Sequence, residues 1–363
     1  MHRSINQSIA LVCLLVLPWL TGCGGGSGGP TGGEARPAVY VVGFSYDNSG
    51  ITMPGYWKDG TWVGLPPLDP AKGGIAQCLV VSGSDVYAGG ICRNANGIFV
   101  PGYWKNGTWV GLTPLDASRD SDVSALAVYN GDVYASGISR NDAGVAIPGY
   151  WRKGTWVGLP ALDPTKNSQV HSMEVSGGDV YVAGGSNNST NTPFAGYWKN
   201  GVWVALPPRQ PHMGSWLKAI AHSADDIYAA GENYTSTGVL PGYWKNGVWF
   251  DLTLPGIASN GWIKAIHISG NDIYAAGGCI AAAYYPGYWK NGFWVGLPAK
   301  AASQIAGAYV TSLTVSGGDV YATGLNSNSS GAAVPGYWKN GAWIDLPPLR
   351  PTGGGGSFVI VVQ

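Results

Sequence analysis

One nine-residue string recurs seven times along the 363-residue chain and constrains its fold more than any other feature. The string is Pro-Gly-Tyr-Trp-Lys-Asn-Gly-x-Trp, with small changes from copy to copy. Successive copies lie 45 to 49 residues apart, a period typical of architectures in which each unit buries its apolar face against its neighbours. The Tyr-Trp pairs are Tyr56-Trp57, Tyr103-Trp104, Tyr150-Trp151, Tyr197-Trp198, Tyr243-Trp244, Tyr288-Trp289 and Tyr337-Trp338.

Each repeat contains four strand-like runs. In the second repeat they are residues 77–81, 85–88, 99–104 and 108–112, separated by Gly-containing turns and one polar loop. Four short antiparallel strands in about 47 residues are typical of one blade of a β-propeller. The sequence therefore predicts an all-β fold, a seven-bladed β-propeller with four antiparallel strands per blade, over residues 38–363.

The repeated Lys-Asn-Gly turn predicts how the third and fourth strands pair. A two-residue type I′ hairpin needs positive φ at both central residues, which favours Asn-Gly or Asp-Gly. Six repeats comply, whereas the third has Lys153-Gly154 and should form a less stable turn. The hairpin places Trp57 opposite Trp62, with a corresponding pair in every repeat. Such pairs contribute about 0.5–1.5 kcal/mol beyond area burial, so most of the aromatic residues are assigned to packing.

The two ends of the repeat region predict a closed ring. Residues 38–43 align with the second strand of later repeats, and no first strand precedes them. Residues 358–362 resemble a missing first strand, so we expect this C-terminal run to pair into the first blade. The alternative is a frayed apolar tail. Closure leaves no free sheet edge, which favours a monomer.

Residues 1–22 have the features of an export signal. Arg3 precedes an apolar run at 9–19 that is too short to span a bilayer comfortably. The run ends in Leu-Thr-Gly-Cys at Cys23, which resembles the bacterial lipobox. The resemblance implies cleavage before Cys23, its acylation and a lipid anchor, with residues 23–37 as a Gly-rich tether. Gly24 in place of Asp favours the outer membrane or cell surface in a two-membrane cell. An ordinary signal peptide is the alternative.

The composition and the cysteine count argue against nucleic-acid binding, a disulfide framework and a metal site. Lys plus Arg equals Asp plus Glu at 20 each, so no basic footprint for nucleic acid exists. Cys13 leaves with the signal and Cys23 takes lipid, which leaves three cysteines at Cys78, Cys92 and Cys279. At most one disulfide can form, with Cys78–Cys92 as the candidate. No Cys or His spacing suggests a metal, and no cofactor is predicted.

A second repeated pattern resembles the kelch repeat. In the second unit Gly89-Gly90 follows a strand, and Trp109, Leu112 and Pro114 come later. The Gly-Gly pair recurs at 184–185 and 277–278, and its first Gly aligns with single glycines in the other units, at Gly43, Gly137, Gly231 and Gly324. The Tyr-Trp-Lys-Asn-Gly hairpin is not the kelch consensus. The resemblance implies a propeller fold but does not indicate a function, because one fold can carry many functions.

Two kinds of connection distinguish the faces of the predicted ring. The turns between first and second strands, and the Lys-Asn-Gly turns, barely change between repeats; we call the face that carries them the constant face. The loops between second and third strands, and those between blades, vary strongly and share the opposite, variable face. Binding residues usually lie on variable loops of a rigid scaffold, although neutral drift of exposed loops would give the same pattern.

The innermost strands supply the candidate binding residues. Positions ten and eight residues before the turn Asp should lie at the variable-face mouth of the central channel. In adjacent blades they include aromatic and cationic residues, namely Trp216, Trp262, Tyr309, Lys218, Lys264 and His171. Such an arc would suit a sugar, an anionic glycan or a peptide carboxylate. The alternative is that these residues only plug and solvate the channel.

Signals for catalysis are sparse. Most repeated Asp residues occupy tight turns, which leaves Asp116, Asp120, Asp122 and Glu174 as candidates for a paired-carboxylate enzyme, or the three Asp for Ca²⁺. The leading hypothesis is a non-catalytic, membrane-anchored binding or scaffold module of the cell envelope, with a glycan or an envelope protein on its variable face. The alternatives are a glycan-acting hydrolase or lyase, and a purely structural envelope protein.

Overall fold

The computed structural model describes residues 36–256, 258–281, 283–299, 308–327, 333–350 and 354–363. The expected signal peptide, Cys23 and most of the expected tether lie outside the described residues, so those assignments stay predictions. No helix in the described ranges is long and apolar enough to span a membrane.

The described residues form short strands joined by turns and loops. In chain order the strands are β1 Val39–Tyr46, β2 Thr52–Lys58, β3 Thr61–Gly64, β4 Gly74–Ser82, β5 Asp85–Arg93, β6 Phe99–Lys105, β7 Thr108–Gly111, β8 Ser121–Tyr129, β9 Asp132–Arg140, β10 Ala146–Arg152, β11 Thr155–Gly158, β12 Ser168–Ser176, β13 Asp179–Asn187, β14 Pro193–Lys199, β15 Val202–Ala205, β16 Ser215–Ser223, β17 Asp226–Thr235, β18 Gly238–Lys245, β19 Val248–Asp251, β20 Asn260–Ser269, β21 Asp272–Ile280, β22 Tyr284–Lys290, β23 Phe293–Gly296, β24 Tyr309–Ser316, β25 Asp319–Ser327, β26 Ala333–Lys339, β27 Ala342–Asp345 and β28 Gly355–Val362.

These strands form seven antiparallel sheets of four strands each, which are the seven predicted blades. Blade 1 contains β28, β1, β2 and β3, and blades 2 to 7 follow in chain order from β4 to β27. The innermost strand of each blade contacts the innermost strands of both neighbours, which encloses a central channel. The C-terminal strand pairs with β1 from Val39↔Val362 to Ser45↔Gly355, so the predicted closure is confirmed.

The Lys-Asn-Gly hairpins have the predicted turn. The first central residue has φ of 49–51° and the following Gly has φ of 79–85° in all seven copies. Lys153 is held in the same left-handed conformation as the Asn and Asp residues of the other turns. Trp57 pairs with Trp62, as predicted. The paired indole rings lie 4.4–4.7 Å apart in every blade.

The glycine before each repeated Tyr makes room for the outer Trp. A Cβ at Gly55 would lie closer than 3.0 Å to the ring of Trp62, and the same is true in the other six blades. The absence of a side chain therefore lets the outer indole lie across the third strand. This packing explains why Gly, Tyr and the two Trp recur together.

The inner Trp of each hairpin joins its blade to the preceding one. Its indole is at most 1% exposed, and its Nε1–H donates to a backbone carbonyl of the loop between the two blades. The seven donor–acceptor distances are 2.7–3.0 Å. Trp57 makes this bond to Pro347, so the same contact that links successive blades also links blade 1 to blade 7.

Candidate functional site

A β-bulge interrupts every innermost strand at the same place. The pairing register with the second strand shifts by one residue, and one residue in each blade has no partner in the ladder. A bulge re-aims the side chain that it carries. We call these seven positions the bulge residues; they are Gln77, Ser124, His171, Lys218, Lys264, Thr311 and Phe358.

A repeated glycine in the second strand allows this bulge. A Cβ there would lie closer than 3.0 Å to the carbonyl oxygen two residues before the bulge residue. The seven glycines are Gly43, Gly90, Gly137, Gly184, Gly231, Gly277 and Gly324. In the second unit the equivalent residue is thus Gly90, and the expected alignment through the first Gly of that pair was wrong. A glycine inside a strand indicates such a close backbone approach, and this was the sequence signal for the bulge.

Three of the predicted site residues meet at the variable-face end of the channel. Lys218 Nζ lies 3.4 Å from His171 Nε2 and 5.0 Å from the centroid of the Trp216 ring. The rings of His171 and Trp216 are 6.1 Å apart, and Trp216 Nε1–H donates to the Tyr234 hydroxyl at 3.2 Å. Two adjacent bulges, on β12 and β16, therefore bring a cation, an imidazole and an indole together.

Lys264, the bulge residue of the next blade, adds a second positive charge beside this cluster, and the described carboxylates do not neutralise both lysines. Neither Lys218 nor Lys264 forms an ion pair with a carboxylate of the described residues, although Lys218 is only 6% exposed. Burial lowers the pKa of both lysines, and the nearby acid Glu232 only partly offsets this; the Oε1 of Glu232 also accepts the Ile263 N–H at 3.2 Å. One carboxylate thus faces two ammonium groups.

Burial sets the protonation of this cluster. It lowers the pKa of Lys218 to about 8, with a smaller lowering by Lys264, and it lowers the pKa of Lys264 as well. Burial first, and then the two lysines, hold the pKa of His171 well below its usual value. His171 is therefore neutral near pH 7 and can accept a hydrogen bond from Lys218.

The two Trp residues predicted to share a surface pack in different directions. Trp262 lies over Gly278, its cross-strand partner, where a Cβ would approach the indole closer than 3.0 Å, and its ring is 5.6 Å from Tyr284. Glu232 occupies the position equivalent to Gly278 in the blade of Trp216. Trp216 instead lies against the preceding blade, where a Cβ at Gly185 would be 3.0 Å from its ring.

Tyr309, the sixth predicted residue, begins β24 and is 37% exposed. It has no ring contact with Trp262 among the described residues.

Glu232 is the one charged member of the cluster that sequence reasoning did not select. The sequence did contain a signal for Glu232: it directly follows Gly231, the repeated glycine of the second strand, and this position pairs with the start of the first strand.

The three Asp residues considered for catalysis or Ca²⁺ bind different partners. Asp116 accepts hydrogen bonds from Ser118 and Arg119, and Asp120 accepts the Phe99 N–H at 2.9 Å. Asp122 Oδ1 accepts from Gln77 Nε2 at 3.1 Å, and burial raises the pKa of Asp122 to about 6. No group of three His, Cys, Asp or Glu residues in the described ranges could hold a metal.

The remaining cysteines are buried in the blades. Cys78 and Cys92 are not joined in a disulfide where the structure describes them, and burial raises the pKa of Cys92 to about 11. Cys279 is also buried, with its pKa raised to about 11 by the same effect. Thiols with raised pKa values are weak nucleophiles, so neither Cys92 nor Cys279 has the character of a reactive cysteine.

Comparisons with known proteins identify no family for this chain and find only distant structural likenesses. No protein-family model matches the chain, and no curated protein matches it. The structure of YjhT is 14% identical, with 79% of this chain and 97% of that chain covered and a TM-score of 0.39. A triple arginine-to-alanine mutant of AofleA from Arthrobotrys oligospora is 14% identical, with 79% and 88% covered and a TM-score of 0.46. A thermostable family-43 glycoside hydrolase is 13% identical, with 68% and 91% covered and a TM-score of 0.36. Such scores carry no argument about function, and the seven-bladed β-propeller rests on the strand pairing described above.

Proposed function

We propose that this propeller is a non-catalytic binding module that captures an anionic glycan at the variable-face mouth of its channel. The observation that carries the proposal is that Lys218 and Lys264 are the bulge residues of adjacent blades and form no ion pair with a described carboxylate. A buried ammonium without a paired anion is costly, and a bound carboxylate would supply the missing partner. The indole of Trp216 beside them offers an apolar face for a sugar ring.

The bulges are well suited to this role because they hold the two lysines at fixed positions on strands rather than on loops. Each bulge is held by a glycine in the neighbouring strand and by the ladder on both sides. A site on a rigid scaffold loses little conformational freedom when a ligand binds. We therefore expect an affinity that depends on the two charges more than on reordering of the variable loops.

The test is a binding screen of acidic glycans and peptidoglycan fragments against residues 38–363. The variant Trp216→Ala, Trp262→Ala and the variant Lys218→Met should each lose the ligand while staying folded. The matched control is Lys72→Met, which changes an exposed lysine on a loop between blades. Equal binding by Lys218→Met and by Lys72→Met would reject the lysine site. Binding of acidic peptides but not glycans would move the ligand class to a peptide carboxylate.

The location of the protein is a separate part of the proposal. We propose that it is exported and anchored as a monomer to the outer membrane or cell surface through acylated Cys23, as a kelch-like lipoprotein. The start of β1 supports this arrangement: the Val39 N–H donates to Asp59 of a constant-face turn. A tether joined there leaves the variable face turned away from its attachment point. Mass spectrometry of the N-terminal peptide tests the acylation, and Cys23→Ser should move the protein to the soluble fraction.

A glycan-acting hydrolase or lyase is the second candidate, and one carboxyl group favours it. Asp122 has its pKa raised to about 6, a value suited to general acid catalysis. Its neighbour in the channel is the amide of Gln77, whereas Asp116 and Asp120 are engaged elsewhere. Glycan turnover that disappears in Asp122→Asn would favour the enzyme. Binding without turnover, unaffected by Asp122→Asn, would support the binding module.

A further inference from the structure

The constant-face end of the channel contains a cavity that differs chemically from the lysine site at the opposite end. Its volume is about 390 Å³, which falls within the range of small-molecule sites. The ends of the innermost strands of blades 2 to 6 line it. Much of this lining is apolar, with Leu126, Met173 and Ile268 among its walls. The cavity lies beyond the bulges and shares none of the residues proposed for the anionic ligand.

A buried carboxylate and a buried imidazole meet in the wall of this cavity. Glu174 Oε2 lies 2.7 Å from His222 Nδ1. The two side chains are 7% and 9% exposed. The ring of Tyr181 covers the imidazole, with 4.0 Å between the ring centroids. The pair joins blade 4 to blade 5, so a sequence pattern within one repeat could not reveal it.

The hydrogen bonding of His222 fixes where the charge lies. His222 Nε2 is buried and has no hydrogen-bond partner among the described residues. A proton on Nε2 would be a buried donor without an acceptor, which is strongly unfavourable. The single ring proton is therefore on Nδ1, where it is donated to Glu174. His222 is neutral in this arrangement, and Glu174 keeps its negative charge.

No cation of the described residues neutralises that charge. Within the part of the chain that the structure describes, His222 is the only ionisable group at ion-pair distance from Glu174. A buried carboxylate beside the apolar walls of this cavity favours a ligand that brings a positive charge and hydrogen-bond donors. The ammonium group of a small amine has both, and its alkyl part would contact the apolar walls.

We propose that this cavity binds a small primary ammonium ion, with Glu174 accepting hydrogen bonds from the ammonium and His222 holding the carboxylate in place. The two ends of the channel then bind opposite charges. The inference does not depend on the anionic ligand at the other end, because different residues form each site.

The experiment is a calorimetric titration of the propeller with n-butylammonium chloride at low salt, with n-butanol as the uncharged probe. Wild type should bind butylammonium saturably, and Glu174→Gln should weaken this binding about tenfold or more. The control is Asp142→Asn, which also replaces a carboxylate by an amide but on an exposed variable-face loop, and it should leave butylammonium binding unaltered. Butanol should bind wild type and Glu174→Gln equally weakly.

Several outcomes would overturn the inference. They are the absence of butylammonium binding, equal binding by Glu174→Gln, and equally tight binding of butanol. Should Glu174→Gln fail to fold, Ser223→Trp fills the cavity from its wall and must abolish the binding. Nitrogen-15 NMR of His222 gives an independent check. A neutral ring protonated on Nδ1 supports the inference, and a doubly protonated ring at pH 7 contradicts it.

Discussion

Replacement of one glycine tests whether the bulge positions the binding site. Gly231 in β17 pairs with Leu217, just before the bulge that carries Lys218. In Gly231→Ala the new Cβ would lie closer than 3.0 Å to the carbonyl oxygen of Trp216. Because that oxygen belongs to the backbone, it cannot rotate away, and β16 must move by about 1 Å. Overpacking costs about 1–3 kcal/mol, and each lost ladder hydrogen bond adds about 0.5–1.5 kcal/mol. We expect a loss of about 3 kcal/mol in the free energy of unfolding.

The assay is equilibrium unfolding in urea, followed by circular dichroism, with Gly111→Ala as the control. Gly111 is also in a strand, but the nearest atom to its added Cβ would be 3.6 Å away. The control should change the free energy of unfolding by less than about 0.5 kcal/mol. If both variants unfold at the same urea concentration, the bulge tolerates a side chain and the steric explanation of the repeated glycine is wrong. Folded Gly231→Ala should also bind the anionic ligand more weakly.

Three further predictions concern the hairpins and the lysine site. Trp244→Phe removes the Nε1 bond to the Pro207 carbonyl and part of a fully buried indole, so thermal unfolding should show a loss of about 1–3 kcal/mol. Lys153→Asn should stabilise the third hairpin by about 0.5–1 kcal/mol in urea unfolding, because Asn tolerates the left-handed conformation better than Lys and the exposed ion pair with Asp132 contributes little; equal or lower stability would contradict this. Affinity for the anionic ligand should be full below the Lys218 pKa of about 8 and fall as the pH rises through it. Calorimetry between pH 6 and 10 checks this, and Lys218→Met should flatten the profile near pH 8; an unchanged profile in that variant would assign the titration elsewhere.

The repeat made the architecture predictable, whereas the site depends on differences between repeats. Seven copies of one hairpin fix the blade number, and the turn geometry alone places Trp57 opposite Trp62. Closure followed from the missing first strand of blade 1. Each of these conclusions needs only local backbone geometry and the period.

The directions of the site side chains were not predictable in the same way. Trp216 and Trp262 hold equivalent positions, yet one cross-strand neighbour is Glu232 and the other is Gly278. Because of that difference, the Trp262 indole packs on Gly278 of its own blade, whereas the Trp216 indole packs on Gly185 of the preceding blade. The bulge could have been inferred from the repeated second-strand glycine, but the Glu174–His222 pair required the packing of one blade on the next.

Closure of the ring through β1 also determines how the molecule carries mechanical load. The Ala38 and Gln363 backbones hydrogen-bond to each other, so a pull between the two chain ends separates β28 from β1 one residue pair at a time. A pull between the N-terminus and a ligand in the channel acts along β1 instead. Its hydrogen bonds to β2 on one side and to β28 on the other then share the force together. The strand that receives the tether is thus hydrogen-bonded along both edges, and it resists a force in the direction in which a captured ligand would pull.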